Sequence, residues 1–390
     1  ALTEVHSMLQ RMNELAVQSA NGTNSSDDRQ AIQDEVDQLT TEIDRVAETT
    51  KFNEIYLLKG DNSNTKNVYM KGHDAGLKGT LTDGAKSATF TMDALQAGDK
   101  YTIAGKEYTI GSATTEVTAL IDKANTDATA DTANKTVDVN GKTYTITYNA
   151  AGNTIADADG TAITLDNLKK AVTGGSKVTY GNTSLTAMTD ADTDGVDDDD
   201  SSIITKDVAE TKIKAELLTA NNIGTVDQAA TVEDANTANG KTSYTINKGY
   251  ATVADTLSFN LHVGADADMT NKITVDIDTM NSANLGIKGI NVKDASGTEA
   301  TYAIDVIADA VAKVSSQRSA LGAVQNRLEH TIDNLDNISE NTSSAESRIR
   351  DTDMAKEMVN YSKNNILAQA GQSMLAQANQ SNQGVLSLLQ

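Results

Sequence analysis

No proline interrupts the C-terminal stretch Ser319–Gln390. Apolar residues approach and enter it at helical steps: Val311, Val314, Leu321, Val324, Leu328, Ile332, Leu335 and Ile338. Steps of three, four and seven put these side chains on one narrow seam of a long helix. A seam of that length exceeds what one small core can cover, so it calls for partner helices. The first expectation is therefore assembly rather than chemistry.

Composition narrows this further. A chain of 390 residues is long enough for two or three domains and at least one sizeable core. Average usage would supply about twenty prolines, yet there are none. Helices then meet no built-in breaks, and folding has no slow X-Pro step. Cysteine is also absent, which excludes a disulfide framework, a thiolate metal site and a cysteine nucleophile. That suits a cytosolic protein and equally a secreted one. The formal charge of −23 argues against nucleic acid as a partner, because a duplex binder needs a basic face. No apolar run reaches the length of about eighteen residues that a membrane span needs. The chain opens at Ala1-Leu2-Thr3 inside a helical pattern, without initiator Met or signal peptide. Native sequence is therefore expected upstream.

Residues 1–53 predict a helical hairpin. Leu2, Val5, Leu9, Met12, Ala16 and Ser19 form one stripe, followed by Asn21-Gly22-Thr23-Asn24-Ser25-Ser26. There Gly22 is expected to supply a left-handed stop, and the Ser/Asp group a new cap. A second helix is expected from about Asp27-Asp28, with Ile32, Val36, Leu39, Ile43 and Val46 as its seam. Both helices and the C-terminal one are expected to pack as a bundle.

From about Gly60 the composition shifts to Thr, Gly, Asn, Asp and Ala with short alternating strands. Tyr101–Ile103 and Glu107–Ile110 flank Ala104-Gly105, while Val137–Val139 and Thr143–Tyr148 flank Asn140-Gly141. Both read as hairpins. Helices are expected at Thr115–Asn125, Leu165–Val172 (closed by Gly174-Gly175) and Asp207–Thr219, so hairpin-then-helix recurs. Between Thr256 and Val292 two strands surround a polar turn, and the long helix is expected from Ala303. The fold class is α+β: long helices from both chain ends, an inner β-hairpin and a β-rich outer region. The expected divisions are 1–58 (helical hairpin), 59–256 (outer region of one or two subdomains), 257–300 (inner β-hairpin), 301–358 (long helix) and 359–390 (tail helix).

Several segments resemble bacterial flagellins. The run from Leu9 to Asn21, LQRMNELAVQSAN, is similar to the family's first helix motif. Glu42–Val46 and Lys51-Phe52-Asn53 resemble the end of its second helix. Ser347–Asp353, Leu375–Gln380 and Val385–Leu389 resemble its C-terminal signature. His262–Ala265 and Leu285–Ile287 resemble its inner β-hairpin. The resemblance covers about 1–58 and 257–390. It implies a secreted subunit of the extracellular flagellar filament, exported unfolded by type III secretion for motility. The implied partners are other flagellin subunits, an export chaperone and a cap protein, with no cofactor. An unfolded export substrate gains from lacking Cys and Pro. The family's further N-terminal helix has no counterpart here, so Met358, Ile366, Met374, Leu375, Leu386 and Leu389 are expected to lack an intramolecular partner. The tail beyond about Asn360 is then expected to be mobile or to borrow contacts from a neighbour, without native filaments.

The resemblance also implies a surface for toll-like receptor 5: Arg11, Leu15 and Gln18 on the first helix, Ile32 and Glu35 on the second. Arg11, Leu15 and Gln18 share a face at i, i+4 and i+7, offset from the seam. The same stripe equally suits packing between subunits. Where the family has a basic residue one turn past Glu35, Leu39 stands here. Val385, Leu386, Leu388 and Leu389 resemble the tail sensed by NAIP receptors, with Gln390 in place of a frequent Arg. Burial in the filament's innermost layer is the other reading of that tail. The assembly seam is expected to use Leu9, Met12, Val36, Ile43, Leu321, Leu328, Ile332 and Leu335.

Asp190, Asp192 and Asp194, followed by Gly195, match the opening of a calcium loop. The match fails at Ser201, where a bidentate Glu belongs, so a solvated acidic loop is the competing reading. Enzyme readings find no support: His6, His73, His262 and His330 are scattered, and neither H-E-x-x-H nor G-x-S-x-G occurs. Asn140–Thr143 and Asn239–Thr242 echo a phosphate loop but read better as hairpin turns. A hook-junction or cap-like relative, and an outer-domain adhesin, remain the alternatives to a filament subunit.

Overall fold

A computed structural model of the chain describes residues 1–264 and 271–387, with the backbone alone at 386 and 387. Two compact units emerge: residues 1–258 with 276–318, and residues 259–275 with 319–390.

In the first unit, α1 (Leu2–Ala20) and α2 (Ser26–Thr49) form the N-terminal hairpin. Gly22 is not the left-handed stop that was expected. Instead Asn21 takes an extended conformation, its N–H donates to Gln18 O, and the Asn24 amide donates to that same carbonyl. Side-chain capping thus replaces backbone reversal. A capping box starts α2: Ser25 Oγ accepts from Asp28 N at 3.2 Å and Ser25 N donates to Asp28 Oδ2 at 3.1 Å. The second helix ends at Thr49, so Lys51-Phe52-Asn53 lies beyond it. There β1 (Lys51–Phe52) and β2 (Ile55–Tyr56) form a minimal hairpin through Asn53 and Glu54, both with positive φ.

The β-rich middle contains β3 (Asp61–Tyr69), β4 (Thr80–Asp83), β5 (Ser87–Asp93), β6 (Lys100–Ile103) and β7 (Lys106–Ile110). Next come α3 (Thr114–Ala130), β8 (Lys135–Val139), β9 (Lys142–Thr147), β10 (Thr154–Asp157), β11 (Ala162–Ile163) and α4 (Leu165–Lys170). β12 (Lys177–Tyr180), β13 (Thr183–Thr186), β14 (Ile203–Ile204) and α5 (Lys206–Asn221) follow. β15 (Thr231–Val232), β16 (Asn236–Ala238), β17 (Lys241–Asn247) and β18 (Tyr250–Asp255) close the region. The expected hairpins and helices are all present.

Two larger cores organise most of these elements, and Met70, just past β3, forms a smaller cluster with Ala251 and Val253 of β18. One sheet, ordered β11-β10-β9-β8-β12-β13, packs with α3 and α4 around Val117, Ile121, Ile146, Leu168 and Val178. The two ends of this chain segment meet where Ser112 and Ala187 form a parallel bridge and Met188 N donates to Ser112 O at 2.9 Å. The other core joins the β15-β17-β5-β4 sheet, the β14-β7-β6 sheet and α5 around Phe90, Tyr244, Ile213 and Leu217. β18 pairs with β3, returning the chain towards its start.

β19 (Leu257–His262) pairs with β20 (Lys272–Ile277), followed by α6 (Ser282–Leu285) and α7 (Thr298–Ser387). The long helix begins before Ala303 and shows no break at 358/359: it is one helix of 90 residues. With neither Pro nor a left-handed Gly inside it, nothing stops it. Its first turns carry Ala300, Ala303, Val306, Ile307, Ala310 and Val314, all buried in the first unit.

Candidate functional site

The hairpin face of α1 and α2 follows from helical periodicity. Val5, Leu9, Met12, Ala16 and Ser19 are buried on α1, with Ile32, Val36, Ile43 and Ala47 on α2. Four of the expected seam residues, Leu9, Met12, Val36 and Ile43, are thus buried inside the chain's own core.

The five residues singled out for a receptor divide into two groups. Arg11 and Gln18 are exposed and Glu35 is half-buried. Arg11 Nε donates to Glu35 Oε1 at 2.8 Å, and Nη1 donates to Glu14 Oε2 at 3.2 Å. Leu15 and Ile32, by contrast, are only 2% and 6% exposed. The expectation that Leu15 lies on an outward face with Arg11 and Gln18 is corrected here. Four residues advance a helix by about 400°, so Leu15 sits some 40° from Arg11, far enough to turn inward beside Met12 and Ala16.

Sequence reading missed a second set, the buried polar residues that bind the hairpin to residues 282–297. Gln33 Nε2 donates to Ile290 O at 2.9 Å and its Oε1 accepts from Val292 N at 2.7 Å. Arg29 Nη1 donates to Ala295 O at 2.8 Å, and Ser19 Oγ donates to Val292 O. Asp44 accepts from Ser282 N at 2.7 Å and Ser282 Oγ at 2.8 Å. One signal was available: Arg29 and Gln33 share a helix face with the apolar Ile32 and Val36. Polar groups on a buried stripe must find partners.

In the second unit, Ile273 and Val275 of β20 are buried. A groove of about 530 Å³ runs between Val263, just past β19, with Lys272 and Ile273 of β20, and Arg327, His330 and Leu335 of α7. The α7 seam residues Leu321, Leu328 and Leu335 are half-buried, but Ile332 is 56% exposed, so the seam is not covered evenly. From Asp336 to Val385 every residue of α7 is exposed. Ile349, Met358, Val359, Ile366, Met374 and Leu375 are each 62–73% exposed. Val385 is 55% exposed. The Leu386 side chain, Leu388, Leu389 and Gln390 lie outside the described residues, as does Ala265.

The acidic loop brings Asp190, Asp192 and Asp194 together, with a carboxylate oxygen of each within 4.8 Å of the others. The loop's own backbone holds one oxygen of each: Gly195 N donates to Asp190 Oδ2 at 3.1 Å, Asp194 N to Asp192 Oδ1 at 3.3 Å and Val196 N to Asp194 Oδ1 at 2.8 Å, while Asp190 Oδ1 is buried without a hydrogen-bond partner. Asp192 and Asp194 are exposed. Those bonds suffice to account for the loop's shape.

A long C-terminal helix that leaves large apolar side chains exposed from Ile349 to Val385 is the mark of a structural subunit that assembles. Comparison with known proteins gives the family. Residues 1–63 match the bacterial flagellin N-terminal helical region, and residues 304–389 the bacterial flagellin C-terminal helical region. Flagellin of Clostridium tyrobutyricum is 35% identical over 389 residues, covering 98% of this chain and 79% of that protein. Flagellin of Salmonella rubislaw is 34% identical over 425 aligned positions, covering 100% and 84%. A solved structure of FliC from Burkholderia pseudomallei is similar at 17% identity and a TM-score of 0.31, covering 84% of this chain and 95% of that one. The chain belongs to the bacterial flagellin family. It is a structural subunit of the extracellular flagellar filament, assembles with other flagellin subunits and is not an enzyme. Among the described residues no helix is long and apolar enough to cross a membrane.

Proposed function

We propose that the exposed part of α7 is the surface through which this subunit polymerises, after export as an unfolded chain by type III secretion with a chaperone and a cap protein. The observation that supports this is the run of apolar side chains from Ile349 to Val385, all more than half exposed. An apolar run of this kind on a soluble helix is a binding surface, because burying it removes about 25 cal/mol per Å² of unfavourable hydration. Neighbouring terminal helices are its natural cover. The tail, including Val385, Leu386, Leu388 and Leu389, then has burial in the filament as its main role and NAIP recognition as a second. The test adds purified chain to sheared filament seeds and follows incorporation by electron microscopy. Incorporation that survives Ile366→Glu with Leu375→Glu rejects α7 as the assembly surface.

A second role rests on the ion pair between Arg11 and Glu35. It places charged groups of α1 and α2 side by side on an exposed face, with Gln18 two turns along. We infer that this face is read by toll-like receptor 5, with Leu15 and Ile32 supporting it from beneath. In a receptor reporter assay, unchanged potency of Arg11→Ala combined with Gln18→Ala rejects this surface.

A further inference from the structure

Three Asn-Gly pairs occur in the chain: Asn21-Gly22, Asn140-Gly141 and Asn239-Gly240. The last two occupy hairpin turns of the same shape, with φ of 55° and 79° at Asn140 and Gly141, and 52° and 73° at Asn239 and Gly240. All four residues are exposed, and Lys-Thr follows each pair. Their hydrogen bonds nevertheless differ.

Asn140 is pinned. Its Oδ1 accepts from Lys177 N at 2.7 Å, its Nδ2 donates to Ser176 Oγ at 3.3 Å, and Gly141 N donates to Asp138 Oδ1 at 2.8 Å. Topology explains this, because β12, which starts at Lys177, runs beside β8 at that turn. The β16–β17 turn has no such neighbour. Among the described residues neither the Asn239 amide nor the Gly240 N–H has a hydrogen-bond partner. Gly240 is held through its carbonyl, which accepts from Ala94 N at 3.0 Å.

We propose that Asn239 is a site of spontaneous deamidation and isoaspartate formation, and that Asn140, in the same kind of turn, is protected. The Gly240 nitrogen attacks Cγ of Asn239 and gives up its proton. A new C–N bond closes a five-membered succinimide, while the Cγ–Nδ2 bond breaks and Nδ2 leaves as ammonia. Water then opens the ring at either carbonyl, giving aspartate or an isoaspartate whose main chain passes through the former side chain. Glycine permits the approach because it has no Cβ to obstruct it. The attack is intramolecular, so its rate depends on how freely the two groups reach attack geometry. At Asn140 the Gly141 N–H must first leave Asp138 and the amide must leave Lys177. Each such bond slows the step by a factor of about five. At Asn239 the isoaspartate adds a main-chain atom and a carboxylate beside the Ala238–Lys241 pair that starts the β16–β17 ladder.

Asn21 stands outside this comparison, since its backbone is extended and its Oδ1 accepts from Thr23 N and Oγ1 at 3.2 and 3.1 Å. The experiment incubates the full chain at neutral pH and follows both turns by tryptic mass spectrometry, reading the mass gained when –NH2 becomes –OH. Asn239 should convert about twenty-five-fold faster than Asn140 in the native protein, the product of the two fivefold factors. In urea, where both turns are unfolded, the two rates should converge. Equal native rates, or a native ratio that persists in urea, would overturn the proposal.

Discussion

Arg11 on α1 reaches Glu35 on α2 through an Nε–Oε1 hydrogen bond of 2.8 Å. The bond to Glu35, and after it the bond to Glu14, raises the guanidinium pKa above its ordinary value. Both partners are solvated, and exposed pairs of this kind add little to folding stability. Arg11→Ala is therefore expected to leave the urea midpoint essentially unchanged while lowering receptor signalling. A marked fall in the midpoint would show the pair to be structural instead.

Leu15 lies one turn from Arg11 but only 2% exposed. Leu15→Ala should cost about 2–5 kcal/mol of stability through the cavity it leaves. Chemical denaturation measures this directly. Weaker signalling by this variant should accompany its loss of fold; full stability would place Leu15 on the surface after all.

Gln33 satisfies both the carbonyl of Ile290 and the N–H of Val292 from one buried amide. Gln33→Leu preserves most of the volume and strands both groups, at about 1–3 kcal/mol each. The loss should appear in urea unfolding and as faster amide exchange at Val292. Unaltered exchange there would mean that the amide is not what holds this segment.

The module from Ser112 to Ala187 has its own core, and its ends are bridged to each other. Replacing 113–186 by a short glycine linker should leave the Phe90–Tyr244 core folded. Calorimetry of the shortened chain should retain that unfolding transition. Its disappearance would show that the two cores are one cooperative unit.

His73 is half-buried beside α7, with Nε2 3.5 Å from Asp309 Oδ2, and its backbone N–H donates to Asn221 Oδ1 at 2.9 Å. Burial lowers its pKa below the ordinary 6.5; Lys71 acts in the same direction, while Asp309, Asp305 and Asp74 oppose it. The folded state thus binds fewer protons than the unfolded one, so stability rises with pH in this window. The contribution is complete above 6.5 and is lost as pH falls from 6.5 through the lower folded value. Comparing urea midpoints of the parent and His73→Gln across that range checks the sign. A parent that gains stability from His73 on acidification would reverse it.

Local patterns foresaw much of the architecture. Asn140-Gly141 and Ala104-Gly105 do turn hairpins, because their positive φ values match strand twist. α4 and α5 fall where the capping residues Thr164 and Thr205 precede apolar periodicity. Less legible were the positions that depend on angle. Arg11 and Leu15 differ by one turn, yet one is solvated and the other packed, since 3.6 residues per turn makes i+4 an imperfect repeat. The burial of Gln33 and Arg29 is not legible locally, because their partners, backbone groups at 290–295, lie far away in sequence.

The sequence alone determined the long helix, its apolar run and the flagellin family. Each is written in nearest-neighbour spacing or in contiguous motifs. Only the tertiary structure decided which apolar residues the chain covers by itself, Leu9, Met12, Val36 and Ile43, and which it leaves bare beyond Asp336. Burial depends on what arrives from elsewhere in the chain. Residues 282–297 return to the N-terminal hairpin, and none of the described residues returns to cover the distal part of α7.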